Sequence, residues 1–197
     1  MKPIALALAL GLCSQLPAPA ASGPAASGAS TITDLVASSG GVFDSNPFDY
    51  DLLLNAVLAA GLEGALADPN VDLTVFAPND LAFIRLARDL GYTGTDETGS
   101  FQYIVGALTT LGGGDPIPVL TDVLLYHVAP ESLSPKEITK NRAIDTLQGG
   151  KLEFTGSSLK DAEPGLRDPR LFLGSKVRAS NGLVYTLDRV LIPLDLP

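Results

Sequence analysis

A single histidine, His127, is the residue of this 197-residue chain best suited to general acid–base chemistry. A hydrolase would use its imidazole as a base, with a nucleophile such as Ser132 and an orienting acid such as Asp145. The chain has no G-x-S-x-G segment, the sharp turn that presents the serine in one large class of hydrolases. We therefore expect no enzymatic activity, and a secreted hydrolase with His127 as general base remains the alternative.

The composition excludes several other kinds of site. One cysteine and one histidine cannot build a zinc site from several Cys and His ligands, and a disulfide needs a second cysteine. Thirteen Lys and Arg residues against 22 Asp and Glu residues give a net charge of −9, which disfavours nucleic acid as a partner. A phosphate-binding GxxxxGK[ST] loop is absent from the sequence. We expect no metal ligands and no cofactor.

One acidic segment has the spacing with which calcium loops begin. Residues 68–72 read DPNVD, but the sixth position is Leu73 where such loops need glycine, and the twelfth is Asn79 where they need glutamate. A turn before a strand is the preferred interpretation. The remaining acidic residues are scattered, which is typical of a surface that favours solubility.

The N-terminal residues predict export. Lys2 precedes an apolar run over residues 4–12, and Ala-Pro-Ala at 18–20 has the form that a signal peptidase cuts after. We therefore expect a signal peptide over residues 1–20, a flexible linker over 21–30, and a location outside the cell, at its surface or in the periplasm. Lipidation of Cys13 is the alternative, although a bulky leucine precedes that cysteine.

Helices are expected to dominate the first part of the mature chain. Apolar spacing predicts a helix over residues 49–62, and the β-rich run at 73–77 predicts a strand that Pro78 ends. Asn79 suits the N-cap of the following helix, and Asp80 would lie in its first turn. Further expected elements are an insertion-like segment at 91–115 with a helix that Ser100 caps, a helix from Pro116, a strand at 126–129 and a helix at 134–140.

Strands are expected to dominate the last third of the chain. Hairpin signals lie at Gln148-Gly-Gly150 and at Asn181-Gly182, where the turn would need φ > 0 at both central residues. The predicted strands cover residues 144–147, 151–155, 171–173, 176–179 and 183–191, with a polar loop over 156–170. Helices early and strands late indicate an α+β fold.

Four segments resemble the fasciclin domain family, in the family's order. Residues 73–83 resemble its first signature, a strand followed by Phe-Ala-Pro, an N-cap and a helix. Residues 124–128 (LLYHV) are similar to its tyrosine–histidine motif, and residues 146–149 (TLQG) match a hairpin strand. Residues 179–193 resemble its second signature, a closing hairpin with an Asn-Gly turn and a D-x-V-L-x-P ending.

The resemblance implies a fasciclin-like β-sandwich or wedge over residues 31–197, with several helices packed on one side. It implies a secreted, non-enzymatic module for cell adhesion or for binding extracellular matrix, whose partner is a cell-surface or matrix protein or a polysaccharide. A monomer without a membrane span is expected. The helix at about 91–115 is an apparent addition to the family pattern and is expected to confer specificity. A periplasmic structural or stress protein without a ligand is a further alternative.

The resemblance also marks individual residues. It implies that Tyr126 is the candidate adhesion residue, and His127 is a second candidate for contact with a partner. The structural alternatives are a core Tyr126 with its hydroxyl bonded, and a buried His127 that bonds Asn79 or Asp80. Strand alternation would place the two candidates on opposite faces. The resemblance assigns structural roles to six signature residues: Phe76, Pro78, Asn79, Asp80, Asn181 and Gly182.

Overall fold

The structure is a computed structural model that describes residues 30–140, 143–194 and 196. The predicted signal peptide and the predicted linker, apart from Ser30, lie outside the described residues. None of the described helices combines the length and the apolar character that crossing a membrane requires.

The described residues form seven helices, which all precede the hairpins of the last third. Their bounds are α1 Ile32–Ser38, α2 Asp51–Ala59, α3 Glu63–Ala67, α4 Asp80–Asp89, α5 Glu97–Leu111, α6 Ile117–Tyr126 and α7 Pro135–Lys140. The strands are β1 Leu73–Pro78, β2 Val128–Ala129, β3 Ile144–Asp145, β4 Lys151–Thr155, β5 Ser158–Lys160, β6 Leu171–Ala179 and β7 Gly182–Leu187. The predicted α+β class is confirmed.

Two sheets organise these strands. The larger sheet has the order β2-β1-β7-β6, in which β1 and β7 run parallel and the other neighbours run antiparallel. The smaller sheet has the order β3-β4-β5 and is antiparallel throughout. The first and second signatures, which are far apart in the chain, therefore become adjacent strands.

Side-chain alternation along β1 and β7 creates two apolar cores. Val75 and Val184 face the core built from α1, α2, α4, α5 and α6. Phe76 and Tyr185 face the opposite core, which the small sheet and α7 close. Because successive strand residues point to opposite faces, one strand pair can support both layers. The result is a sandwich with most of its helices on one side, as predicted.

Asn181 and Gly182 have different roles from those that the hairpin signal predicted. Ala179 pairs with Gly182, so Ser180 and Asn181 form the turn, and no non-glycine residue in the described part of the chain has a positive φ. The Asn181 side chain instead points inward, where it accepts from the Ile32 N–H (3.0 Å). It also donates to the carbonyls of residues 66 (2.8 Å) and 68 (3.0 Å).

Glycine is required at position 182 because β1 approaches closely. A side chain on Gly182 would collide with the backbone of Leu73, its partner in the parallel register. The Leu73 N–H also donates to the Asn181 carbonyl at 3.0 Å. The Asn-Gly pair therefore fastens the second signature to the first.

The predicted strand at 126–129 is wrong at its start. Helix α6 continues through Tyr126, His127 is its C-cap, and the strand contains Val128 and Ala129 alone. The apolar run before His127 suits a buried helix as well as a buried strand, so periodicity could not separate them. Tyr126 and His127 consequently do not alternate across a sheet, and both are buried.

Smaller corrections concern the ends of elements. Helix α5 begins at Glu97 with Asp96 as its N-cap, in place of Ser100. Strand β5 lies inside the predicted loop over 156–170, and β7 ends at Leu187, before residue 191. The two strands predicted at 171–179 are one strand with an irregularity between Phe172 and Val177. The predicted helix cap at Asn79 and the turn at 68–72 are confirmed.

Asn181 offers a direct test of how the second signature is attached to the first. Replacing Asn181 with alanine leaves one buried N–H and two carbonyls without their partner, so we expect a loss of about 3 kcal/mol in the free energy of unfolding. Urea denaturation measures this loss. Asn70→Ala, at an exposed turn position, is the control and should lose less than about 1 kcal/mol. Equal losses in the two variants would contradict the assignment.

Candidate functional site

His127 joins α6 to the C-terminal segment through both of its ring nitrogens. Nδ1 lies 2.7 Å from the Val123 carbonyl, and Nε2 lies 2.9 Å from the Leu191 backbone nitrogen. The Leu191 N–H can only donate, so Nε2 accepts and Nδ1 carries the proton. The ring is therefore a neutral imidazole with both nitrogens occupied by backbone groups.

The environment of His127 opposes its protonation. The side chain is 2% exposed, and burial lowers its pKa to about 4, although the bond to Val123 acts in the opposite direction. Neither ring nitrogen bonds a hydroxyl or a carboxyl group. Asp145, the acid of the hydrolase alternative, is exposed and pairs with Lys151 at 2.5 Å. The arrangement of base and acid that the alternative needs is not formed at His127.

The predicted bond from His127 to Asn79 or Asp80 is wrong. Asn79 accepts from the Ala82 N–H at 3.1 Å and caps α4. The Asp80 carboxylate accepts from the backbone N–H groups of residues 51 (3.2 Å) and 52 (2.9 Å), the first turn of α2. His127 is a joint within the fold, as predicted, but it connects a different pair of segments.

Tyr126 lies in the core. It is 2% exposed, and its hydroxyl donates to the Lys151 carbonyl at 3.0 Å. Burial is the main cause that raises its pKa to about 12. Gly150 leaves room for its ring, since a Cβ there would lie 2.7 Å from Tyr126 Cε2. Tyr126 is therefore a core residue with its hydroxyl bonded, which was the structural alternative to a role in adhesion. Direct contact of Tyr126 or His127 with a partner stays a prediction, and the described surface presents neither side chain.

Two more signature residues shape the same core. The Phe76 ring stacks on Tyr185 with centroids 6.3 Å apart, and the Tyr185 hydroxyl donates to the Leu133 carbonyl at 2.8 Å. Pro78 is the last residue of β1 and pairs with Leu187. These residues position strands β1 and β7.

An open groove of about 840 Å³ lies between the loop before α2 and the irregular part of β6. Two aromatic rings protrude beside it, Phe48 with 69% of its surface exposed and Phe172 with 42%. Arg85 and Arg170 also line it. Exposed aromatic rings beside charged side chains are the usual anchors of binding surfaces. The groove has no local signal in the sequence and was not predicted, because its walls come from distant parts of the chain.

The walls of the groove are held in place by hydrogen bonds. The Tyr50 hydroxyl and Thr186 Oγ1 lie 2.7 Å apart. Arg85 donates to the Asp188 carbonyl at 2.8 Å and contacts its carboxylate at 3.3 Å. These contacts connect the loop before α2 and α4 to β7 and the residue after it. The walls of the groove are therefore connected to one another.

A second group of residues could hold a metal ion. We call it the acidic cluster, and it comprises Asp44, Asp49, Asp51, Asp80 and Glu97. Its oxygens form two triplets within 4.8 Å, Asp44–Asp51–Glu97 and Asp49–Asp80–Glu97. Burial, and then the neighbouring acids, raise the pKa of Asp80 to about 8. Burial also raises the pKa of Asp51 and of Glu97.

Sequence reasoning singled out Asp80 alone in this cluster. The signal that could have found the others is the spacing Asp44-x-Asn46-x-x-Asp49-x-Asp51, which puts several oxygen-bearing side chains in one short loop. Glu97 carries no such signal, because only the fold brings α5 to that loop.

Comparisons with known proteins agree with the fold. The family model described as Fasciclin domain matches residues 49–193. Among solved structures, the chain is similar to a FAS1 domain pair from the insect cell adhesion molecule Fasciclin I, with a TM-score of 0.58 and 14% identity. The match covers 84% of this chain and 51% of that one, so the chain spans about half the length of that structure. No curated protein matches the chain.

The neutral His127 predicts a specific pH dependence of stability. Its pKa is depressed in the folded state, so its contribution is complete above the unfolded pKa of about 6.5 and falls as the pH drops towards 4. We expect the stability advantage of the wild type over His127→Gln to shrink by about 3 kcal/mol between pH 7 and pH 4. Urea denaturation at several pH values measures it.

The difference in stability between wild type and His127→Gln cancels the contribution of the carboxylates, because these titrate in both proteins. Parallel stability curves for wild type and His127→Gln across this range would show that the imidazole is not held neutral.

Proposed function

The chain belongs to the fasciclin domain family, and we propose that it is a secreted, non-enzymatic adhesion module that binds a cell-surface or matrix protein or a polysaccharide. The single observation that carries the proposal is the open groove with its two protruding aromatic rings. The solved relative is itself a cell adhesion molecule. The predicted signal peptide supports export.

Hydrogen bonds hold the backbone that carries one of the aromatic anchors. Phe172 lies at the start of the irregular part of β6, where the Ser175 hydroxyl donates to its carbonyl at 2.7 Å. The same hydroxyl accepts from the Thr186 N–H at 2.8 Å, which pins the irregular segment to β7. A backbone that is already held in place loses little entropy on binding, which favours affinity.

The chemistry of the groove suits a partner with both apolar and polar faces. Phenylalanine rings offer flat apolar surfaces, on which the faces of sugar rings or apolar side chains can pack. Arg85 and Arg170 offer several N–H donors for hydroxyl, carbonyl or carboxylate oxygens. Both polysaccharides and proteins present this combination.

Tyr126 and His127 take part in this proposal as positioning residues. Each is buried and bonded to the backbone of a different segment, Tyr126 to β4 and His127 to the segment after β7. We infer that they support the strands on which the groove is built, and that a partner touches the exposed residues of the groove instead.

Binding by one copy of a module is expected to be weak, so the test uses a multimerised probe. We expect the domain comprising residues 31–197, displayed on a multivalent carrier, to bind members of a glycan and protein array. The double variant Phe48→Ser, Phe172→Ser should lose at least about tenfold in signal, since both anchors are removed. Its melting temperature should stay unchanged because both rings are exposed.

The matched control is Val177→Ser, an exposed apolar residue of the same strand β6 that lies outside the groove. Its binding should equal that of the wild type. Absence of any binding above background, or full binding by the double variant, would contradict the proposal.

A further inference from the structure

The acidic cluster contains buried oxygens that nothing in the described structure satisfies. Asp49 Oδ1, Asp51 Oδ2 and Ser100 Oγ have no hydrogen-bond partner. Asp51 and Ser100 are fully buried, and Asp49 is 8% exposed. Ser100 follows Glu97 by about one turn, so the two side chains share a face of α5. Buried polar atoms without partners are rare in native folds and call for a ligand.

We propose that the acidic cluster is a calcium-binding site. The proposal stands independently of the adhesion function, because no residue of the acidic cluster lines the groove.

Charge balance supports a bound cation. Ion pairs in the described residues join Arg85 to Asp188, Lys151 to Asp145 and Arg189 to Asp89, and none involves the acidic cluster. Several carboxylates that are withdrawn from water without an opposite charge repel one another and lose hydration. A divalent cation would supply the missing positive charge.

The arrangement of the oxygens fits calcium. Calcium binds six to eight oxygens at about 2.3–2.6 Å, so two oxygens on one ion lie at most about 5 Å apart. Both triplets of the cluster meet this limit, and Glu97 belongs to each of them. Carboxylate and hydroxyl oxygens without His or Cys favour a hard cation. Magnesium is less suitable because it demands nearly ideal octahedral geometry at shorter distances.

Hydrogen bonds from backbone and side-chain N–H groups already hold three of the carboxylates in place. The Asp44 N–H donates to Glu97 Oε2 at 2.7 Å, and Asn46 Nδ2 donates to Asp49 Oδ2 at 3.0 Å. Asp51 Oδ1 accepts from the Gly41 N–H. Gly40 is required beside it, since a Cβ there would collide with the Asp51 carboxylate. Asp49 and Asp51 each retain one oxygen for an ion.

Calcium would add a further connection between segments that already share hydrogen bonds. Asp44 and Asp49 belong to the loop before α2, Asp51 begins α2, Asp80 begins α4, and Glu97 begins α5. The bound ion would fix this loop against the two helices, and would therefore raise the stability of the whole domain.

The test uses the chain from residue 31 after treatment with a chelator. We expect calorimetric titration to show binding of calcium chloride, and about 5 mM calcium to raise the melting temperature by several degrees, since weak calcium modules have dissociation constants of about 0.1–1 mM. Magnesium chloride at the same concentration should produce a smaller shift. No heat and no shift with calcium would overturn the proposal.

Glu97→Gln identifies the site. Glu97 is common to both triplets, so this variant should bind calcium at least about tenfold more weakly. It should fold at least as well as the wild type without calcium, because it removes one of the mutually repelling carboxylates. Asp122→Asn, an exposed change of the same charge on α6, is the control and should bind as the wild type does. Equal calcium shifts in the two variants would overturn the assignment.

Discussion

The parallel pairing of β1 with β7 is the contact on which the rest of the structure depends. It joins Leu73 to Gly182 in register, so a strand from the helical half of the chain lies beside one from the last hairpin. A contact between such distant residues loses considerable chain entropy when it forms, so it needs strong local support. Gly182 allows the close approach, and the buried side chain of Asn181 secures the end of the pair. Both apolar cores then assemble on the two faces of this pair.

Buried polar groups determine how the layers meet. Asn181 bonds α1 and the turn before β1, while His127 bonds α6 and the segment after β7. Each side chain offers both a donor and an acceptor, and each uses them on backbone groups that would otherwise lie unsatisfied in an apolar interior. Apolar residues of the same size could fill the space but could not satisfy those groups. Polar joints of this kind select one arrangement of the layers from the many that would bury similar apolar area.

Local signals in the sequence were sufficient for the elements that they govern. Strand β1, the Asn79 cap of α4 and the helix predicted at 134–140 follow from residue types at short spacing, and the structure contains them. The conformations of Tyr126 and Asn181 could not be predicted from local signals, because packing against distant segments determines them. The acidic cluster could not be predicted in full, since Glu97 joins the loop before α2 only through the fold. The groove has the same origin, as Phe48 of the loop before α2 and Phe172 of β6 line it from distant parts of the chain.

The irregularity in β6 also affects how copies of this domain meet one another. Strand β6 forms one edge of the larger sheet, and β2, at the other edge, has two residues. A long regular edge would offer a row of free amide groups to a second sheet. The break after Phe172, together with the exposed charges of Lys176 and Arg178, interrupts that row. Two copies that meet edge to edge therefore find no continuous row of free amides through which their sheets could join.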